Sequence, residues 1–247
     1  MTDAAAVIAE GARRVATILA AAIVDRGRAD WCVTGGSTAS GIYRILTGEP
    51  LRDQVPWDAV QAWWGDDRYV PRGHHLSNVT AFDDVLLGPA GVPIPGGQLH
   101  PFRTSEAIGQ GRGAAWCAAT LADELRLAGL PVVDGWPSFD LLMLGVGVDG
   151  HLLSVFPGSP TIGATDLAMA IAAPAHVEPH VERVTLNPAI VGSARRVIVL
   201  ATGSAKAPVI GEILGPTRDV GRWPAQFARR EGATWILDEA AAARLRP

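Results

Sequence analysis

Residues 139–160, FDLLMLGVGVDGHLLSVFPGSP, constrain the fold more than any other stretch of the chain. Residues 139–144 form an apolar run with Asp140 as its one polar member, following Trp136-Pro137-Ser138. A short apolar run bounded by turn residues reads as a strand buried on both faces of a parallel sheet. At Gly145, Gly147 and Gly150 the backbone is bare where such a strand has to turn, and Asp149 and His151 lie in the same few residues. Open α/β sheets bind their ligands at the carboxyl ends of strands, so the stretch predicts both a fold class and the place of a site.

Residues 145–150 also satisfy the G-x-G-x-x-G pattern of dinucleotide folds, which carries weight only when a helix follows and an acidic residue ends the next strand. Neither condition holds. After His151 the chain reaches Pro157-Gly158-Ser159-Pro160 within about two helical turns, and Asp166 precedes the next apolar run instead of ending it. A plain glycine turn with an incidental histidine is the other alternative. Against it, an imidazole beside a carboxylate at a strand end is placed as a general acid or base for work near neutral pH.

Similar strand ends recur along the chain. A helix over 4–24, capped by Thr2 or Asp3, leads to a strand at Trp31-Cys32-Val33, then Gly35-Gly36-Ser37-Thr38, then a helix over 39–46. That order presents backbone N–H groups and hydroxyls to an anion at a helix N-terminus. It lacks the lysine and the length of a Walker loop, so a monophosphate fits better than a triphosphate. A strand over 60–64 ends at Gly65-Asp66-Asp67-Arg68-Tyr69-Val70-Pro71, and Ser77-Asn78 caps a helix over 79–87. Residues 88–97, GPAGVPIPGG, are a candidate hinge, and 106–128 read as one helix. The β-prone run 195–201 leads into Thr202-Gly203-Ser204-Ala205-Lys206 and a helix to Leu214. An ammonium in a first helical turn opposes the dipole, a conflict that a bound anion removes. A strand at Thr234-Trp235-Ile236-Leu237 and an Ala-rich helix close the chain.

Composition excludes several functions. Across 247 residues, 48% are hydrophobic and 19% charged, with a net charge of −4. Such a chain folds around a sizeable core and lacks the basic face that nucleic-acid binding requires. The strand ends on both sides of 88–97 look like parts of one site, so one domain over 1–247 is expected. No apolar run is long enough to span a bilayer. Cys32 and Cys117 lie in apolar runs, as buried thiols do, which suits a reducing, cytoplasmic setting. His74 and His75 have no cysteine or third histidine near them, so no metal site is predicted.

Four of these signatures together resemble the 6-phosphogluconolactonases, within the superfamily of glucosamine-6-phosphate deaminases and isomerases. They are Gly35-Gly36-Ser37-Thr38; residues 65–71 with Ser77-Asn78; residues 145–151 through Phe156-Pro157-Gly158; and Arg183-Val184-Thr185-Leu186 with Gly203 and Lys206. The third is the most specific, because the deaminases carry Asn-Glu-Pro-Gly where this chain has Val155-Phe156-Pro157-Gly158. The resemblance implies a doubly wound, mostly parallel α/β sheet with helices on both faces. It also implies a cytosolic enzyme, a monomer or weak homodimer without cofactor or metal, that hydrolyses 6-phosphoglucono-δ-lactone to 6-phosphogluconate in the pentose phosphate pathway. By position, His151 would activate water, Asp149 would orient it and Arg68 would sit at the substrate. Gly35, Gly36, Ser37, Thr38 and Lys206 would hold the phosphate, with Arg183 adding positive charge and Asp67 among the substrate-binding positions.

Two departures accompany the resemblance. Asp67 stands where the family usually has Glu, and Leu152-Leu153 replace the alanine common after the motif histidine. Ser37 and Ser154 are alternative nucleophiles, but neither lies in G-x-S-x-G. The competing readings are an amino-sugar phosphate deaminase or isomerase, which calls for an acidic residue at Phe156, and a catalytically silent sugar-phosphate sensor, which calls for a lost Asp149 or His151.

Overall fold

A computed structural model describes residues 1–245; the last two residues of the expected domain, 246 and 247, lie outside them. The central sheet has six strands in the order β11-β10-β7-β1-β2-β4, every neighbouring pair parallel. Its members are β1 (Ala29–Val33), β2 (Val60–Trp64), β4 (Leu99–His100), β7 (Leu141–Gly145), β10 (Val197–Ala201) and β11 (Ala233–Leu237). From β1 the chain steps outward through β2 to β4, then returns to β7 on the other side and steps through β10 to β11. The winding therefore reverses between β1 and β7, and a crevice opens there at the carboxyl ends of the strands.

Burial explains why β7 sits near the middle. Leu141, Leu142, Met143 and Leu144 are at most 1% exposed, and full burial of each such side chain stabilises the fold by about 1.5–3 kcal/mol. β1 is buried along its whole length. Beside it Trp31, Tyr43, Trp64 and Phe82 pack edge-on or tilted, with ring centroids 4.9 to 6.0 Å apart. Helix α1 (Ala4–Arg26) crosses this sheet; Asp3 accepts from the amide of Ala6 at 2.8 Å, and Gly27 ends the helix at φ 75°. Helix α2 (Ser37–Leu46) packs against α1.

A second, antiparallel sheet of order β3-β9-β8 stands over the carboxyl end, built from β3 (Asp66–Arg68), β8 (Ala168–Ile171) and β9 (Arg183–Leu186). A small hairpin pairs β5 (Val132–Val133) with β6 (Trp136–Pro137). The sequence reading of 65–71 as a charged cluster at a strand end misses β3, which follows β2 after the single residue Gly65. The helix expected over 106–128 is two helices, Thr104–Gly109 and Ala114–Leu127. Gly111 and Gly113 lie between them, and Gly111 takes φ 64°. Each glycine costs a helix interior about 1 kcal/mol relative to alanine, so the periodicity is overridden locally. The helix expected over 79–87 is present as Asn78–Ala81, widening to π geometry over Phe82–Leu86. The closing helix is Glu239–Ala242.

Candidate active site

The largest predicted cluster of functional residues converges on the switch point. A cavity of about 430 Å³ is lined there by Gly35, Gly36, Ser37 and Thr38 after β1, Asp66, Arg68 and Asn78 beside β3, and 145–148 with His151 after β7. Arg183 on β9 and Lys206 after β10 complete the wall.

Gly36 adopts φ 95° and ψ 168° ahead of α2, a conformation suited to glycine, and no side chain caps the helix start. The first N–H groups of this helix thus remain available at the cavity wall, where the macrodipole favours an anion. Gly35 is forced by its neighbour: a Cβ there would lie 2.0 Å from Oδ1 of Asn78. Asn78 is itself fixed, its Nδ2 donating to the carbonyl of Asp66 at 2.9 Å and its backbone N–H to Oδ1 of Asp67 at 2.6 Å.

Alternation along β3 sorts the adjacent carboxylates, since successive strand residues face opposite sides. Asp66 and Arg68 line the cavity, whereas Asp67 is fully buried beneath it and outside the lining. Asp67 accepts from the amides of Arg68 and Asn78 and from the hydroxyl of Ser77, at 2.8, 2.6 and 2.9 Å. Burial pushes its carboxyl up to about 7, with the neighbouring Asp66 adding to the rise and those three donors opposing it. Asp67, expected among the substrate-binding positions, thus lies outside the cavity lining, and its side chain shapes the loop that carries Arg68 and Asn78. Asp66 was not singled out from sequence, and reading Asp-Asp-Arg as a strand would have found it.

Arg68 and Arg183 are register partners across β3 and β9. Their guanidinium groups reach backbone carbonyls, Arg68 that of Leu76 at 2.7 Å and Arg183 that of Pro179 at 3.2 Å, yet each keeps a buried Nε without a partner. Among the described residues neither forms a salt bridge. Burial and the facing Arg68 push the Arg183 guanidinium down from its ordinary range. Like charges directly opposed across two strands are unfavourable unless an anion lies between them. Lys206 is half-buried, which also lowers its ammonium, and donates from Nζ to the carbonyl of Val146 at 2.6 Å.

The turn after β7 orients His151. Nδ1 of His151 lies 2.5 Å from Oδ1 of Asp149, and the amide of Gly147 donates to the His151 carbonyl at 2.9 Å. Burial pushes the Asp149 carboxyl up, but hydrogen bonds from His151 and the charge of that ring outweigh it and hold the group well below the usual range. An ionised carboxylate only accepts, so Nδ1 is the donor in this contact, and in the neutral ring Nε2 carries the lone pair. Gly147 is required here, since a Cβ would stand 2.0 Å from Nδ1 of His151. Asp149 stands behind the histidine and is absent from the cavity lining. Phe156 packs against His151 at 4.7 Å and under the Arg183 guanidinium at 5.3 Å, so an aromatic ring occupies the place where the deaminase reading called for a carboxylate.

Other candidates fall outside the site. Ser154 is fully buried and donates to Oδ2 of Asp66 at 2.6 Å, a structural bond that removes it as a nucleophile. His74 and His75 stack on each other at 4.3 Å and do not line the cavity, and neither do residues 88–97. Two residues that sequence reasoning missed lie in the loop 172–182: Val177 lines the cavity, and His176 reaches Asp149. Among the described residues no helix is long and apolar enough to cross a membrane.

Fold and crevice together define an α/β protein in which a histidine and several basic side chains line one cavity at the switch point of a parallel sheet. Comparison with known proteins narrows the class. The family model "Glucosamine-6-phosphate isomerases/6-phosphogluconolactonase" matches residues 2–236. A 6-phosphogluconolactonase of Streptomyces coelicolor is 35% identical over 236 residues, covering 95% of this chain and 88% of that protein. One from Synechocystis is 32% identical over 234 residues, covering 94% and 91%. The solved structure of the Trypanosoma brucei 6-phosphogluconolactonase superposes with a TM-score of 0.84 at 31% identity, covering 100% and 97% of the two chains. The chain belongs to the glucosamine-6-phosphate isomerase/6-phosphogluconolactonase family, and it is a lactone hydrolase of the 6-phosphogluconolactonase branch.

Proposed function

We propose that the enzyme hydrolyses 6-phosphoglucono-δ-lactone to 6-phosphogluconate with His151 as general base and no covalent intermediate. One observation carries this reading: Nδ1 of His151 lies 2.5 Å from Oδ1 of Asp149, a contact that in the neutral ring holds the proton on Nδ1 and leaves Nε2 as the base at the wall of a cavity whose other groups suit an anion. The open N–H groups of α2 at Ser37 and Thr38, with Lys206, hold the 6-phosphate. Arg183 adds charge, and Arg68 faces the lactone carbonyl, where negative charge develops.

The steps balance without a cofactor. Nε2 of His151 takes a proton from water as the hydroxide adds to C1 of the lactone. The tetrahedral intermediate collapses with cleavage of the bond from C1 to the ring oxygen, which receives the proton from His151. The carboxylic acid formed then loses its proton to solvent. A lactone is an activated ester, so general-base help of about 10²–10⁴-fold suffices. The same reading takes the chain as a single cytoplasmic domain, a monomer or weak homodimer.

The test is hydrolysis of freshly generated 6-phosphogluconolactone in the presence of a chelator, measured against its spontaneous rate. Wild type should accelerate the reaction, and His151→Ala should lose about 10²–10⁴-fold in kcat. Folded wild-type protein with no rate above background would overturn the reading.

A further inference from the structure

The mechanism above uses one oxygen of Asp149, and the other is also held. Oδ2 lies 3.0 Å from Nε2 of His176, while Oδ1 serves His151. His176 belongs to the loop 172–182 between β8 and β9, whose ends are pinned because Ile171 and Arg183 are register partners. The residue after it, Val177, lines the cavity. The His176 ring stands edge-on to Phe156 at 5.7 Å and 82°, and the ring of Phe156 lies 4.7 Å from that of His151. Two imidazoles thus converge on one carboxylate, each in contact with the same aromatic ring.

We propose that His176 is a positioning residue for lactone hydrolysis: by donating to Oδ2 it fixes the plane of Asp149 and so aims Nε2 of His151 into the cavity. The proposal rests on the reading of His151 as general base. The charged groups facing this pair are Lys206 after β10, Arg183 on β9, and Arg68 and Asp66 on β3. Among the described residues only His176 donates a side-chain hydrogen bond to Asp149 from outside the β7 turn.

His176→Ala and His176→Gln separate positioning from other roles. The His176 side chain is 54% exposed, so both variants should fold, which thermal unfolding checks. The alanine variant should lose about tenfold in kcat, within the roughly 10²-fold that small misplacements cost. Its KM should stay near the wild-type value, because the phosphate-holding groups are untouched. Glutamine presents an N–H donor at nearly the same reach and should restore most of kcat. An alanine variant with wild-type kcat would overturn the inference, as would alanine and glutamine variants impaired alike. A wild type without lactonase activity would overturn the general-base reading and this inference with it, whereas an active wild type beside an unchanged alanine variant would overturn the inference alone.

Discussion

The two ends of the central sheet hold buried charge in opposite ways. At the amino end, Asp30 and Asp140 are both nearly buried, and each has its partners: Arg28 and the Trp63 indole donate to Asp30, while Arg26 and Arg195 pair with Asp140. Oδ2 of Asp140 also accepts the amide of Asp30 at 2.9 Å and so ties β7 to the start of β1. At the carboxyl end, Arg68 and Arg183 are opposed, each with a buried Nε that nothing meets. An unsatisfied buried polar group costs about 1–3 kcal/mol, a cost carried by the two arginines at the carboxyl end and avoided by the two aspartates at the amino end. The difference separates charge paired within the fold from charge left open at the cavity wall.

Neutralising each end in turn breaks the comparison or sharpens it. Arg183→Met keeps the volume and the contact with Phe156 but removes a charge-assisted contact of about 1.5–3 kcal/mol, so KM for the lactone should rise by about 10–100-fold. Its Tm should hold or rise, because an opposed like charge has gone. A KM within twofold of wild type would place the anion elsewhere. Asp140→Ala should do the reverse, leaving kcat/KM intact while orphaning the Asp30 amide at a cost of about 1–3 kcal/mol. For a chain of this size that corresponds to roughly 2–4 °C in Tm for each kcal/mol. Lost activity in a folded Asp140→Ala protein would show that the two ends are coupled.

What the sequence made legible follows the same division. The buried strand 139–144, the glycine turns and the placement of His151 beside Asp149 are local, carried by runs of a few residues, and hydrophobic burial enforces them. The pairing of Arg68 with Arg183 needs β3 and β9 to meet across more than a hundred residues of chain, which no local pattern encodes. His176 lies in a loop without periodicity, and its tie to Asp149 exists only once β8 and β9 fold over the switch point. The side taken by Asp66 and Asp67 was within reach, because a three-residue strand is enough to send neighbours to opposite faces.

Asp67 tests whether the carboxyl end is strained beneath the site as well as within it. Burial raises its folded-state pKa from the ordinary 3.8 to about 7. A raised carboxyl favours the protonated form in the folded protein, so its contribution to stability is fully present below about 4 and is lost as pH rises toward 7. Asp67→Asn keeps the geometry. Oδ1 can still accept from Arg68 and Asn78, and the new amide can donate to the Ser77 hydroxyl, which gives up its present role as donor. The wild type minus variant difference in Tm should therefore fall between pH 4 and 7, with kcat/KM of the variant near wild type because Asp67 does not line the cavity. A flat difference across that window would mean that the three donors keep Asp67 ionised at low pH, making its carboxylate another satisfied charge of the kind seen at the amino end.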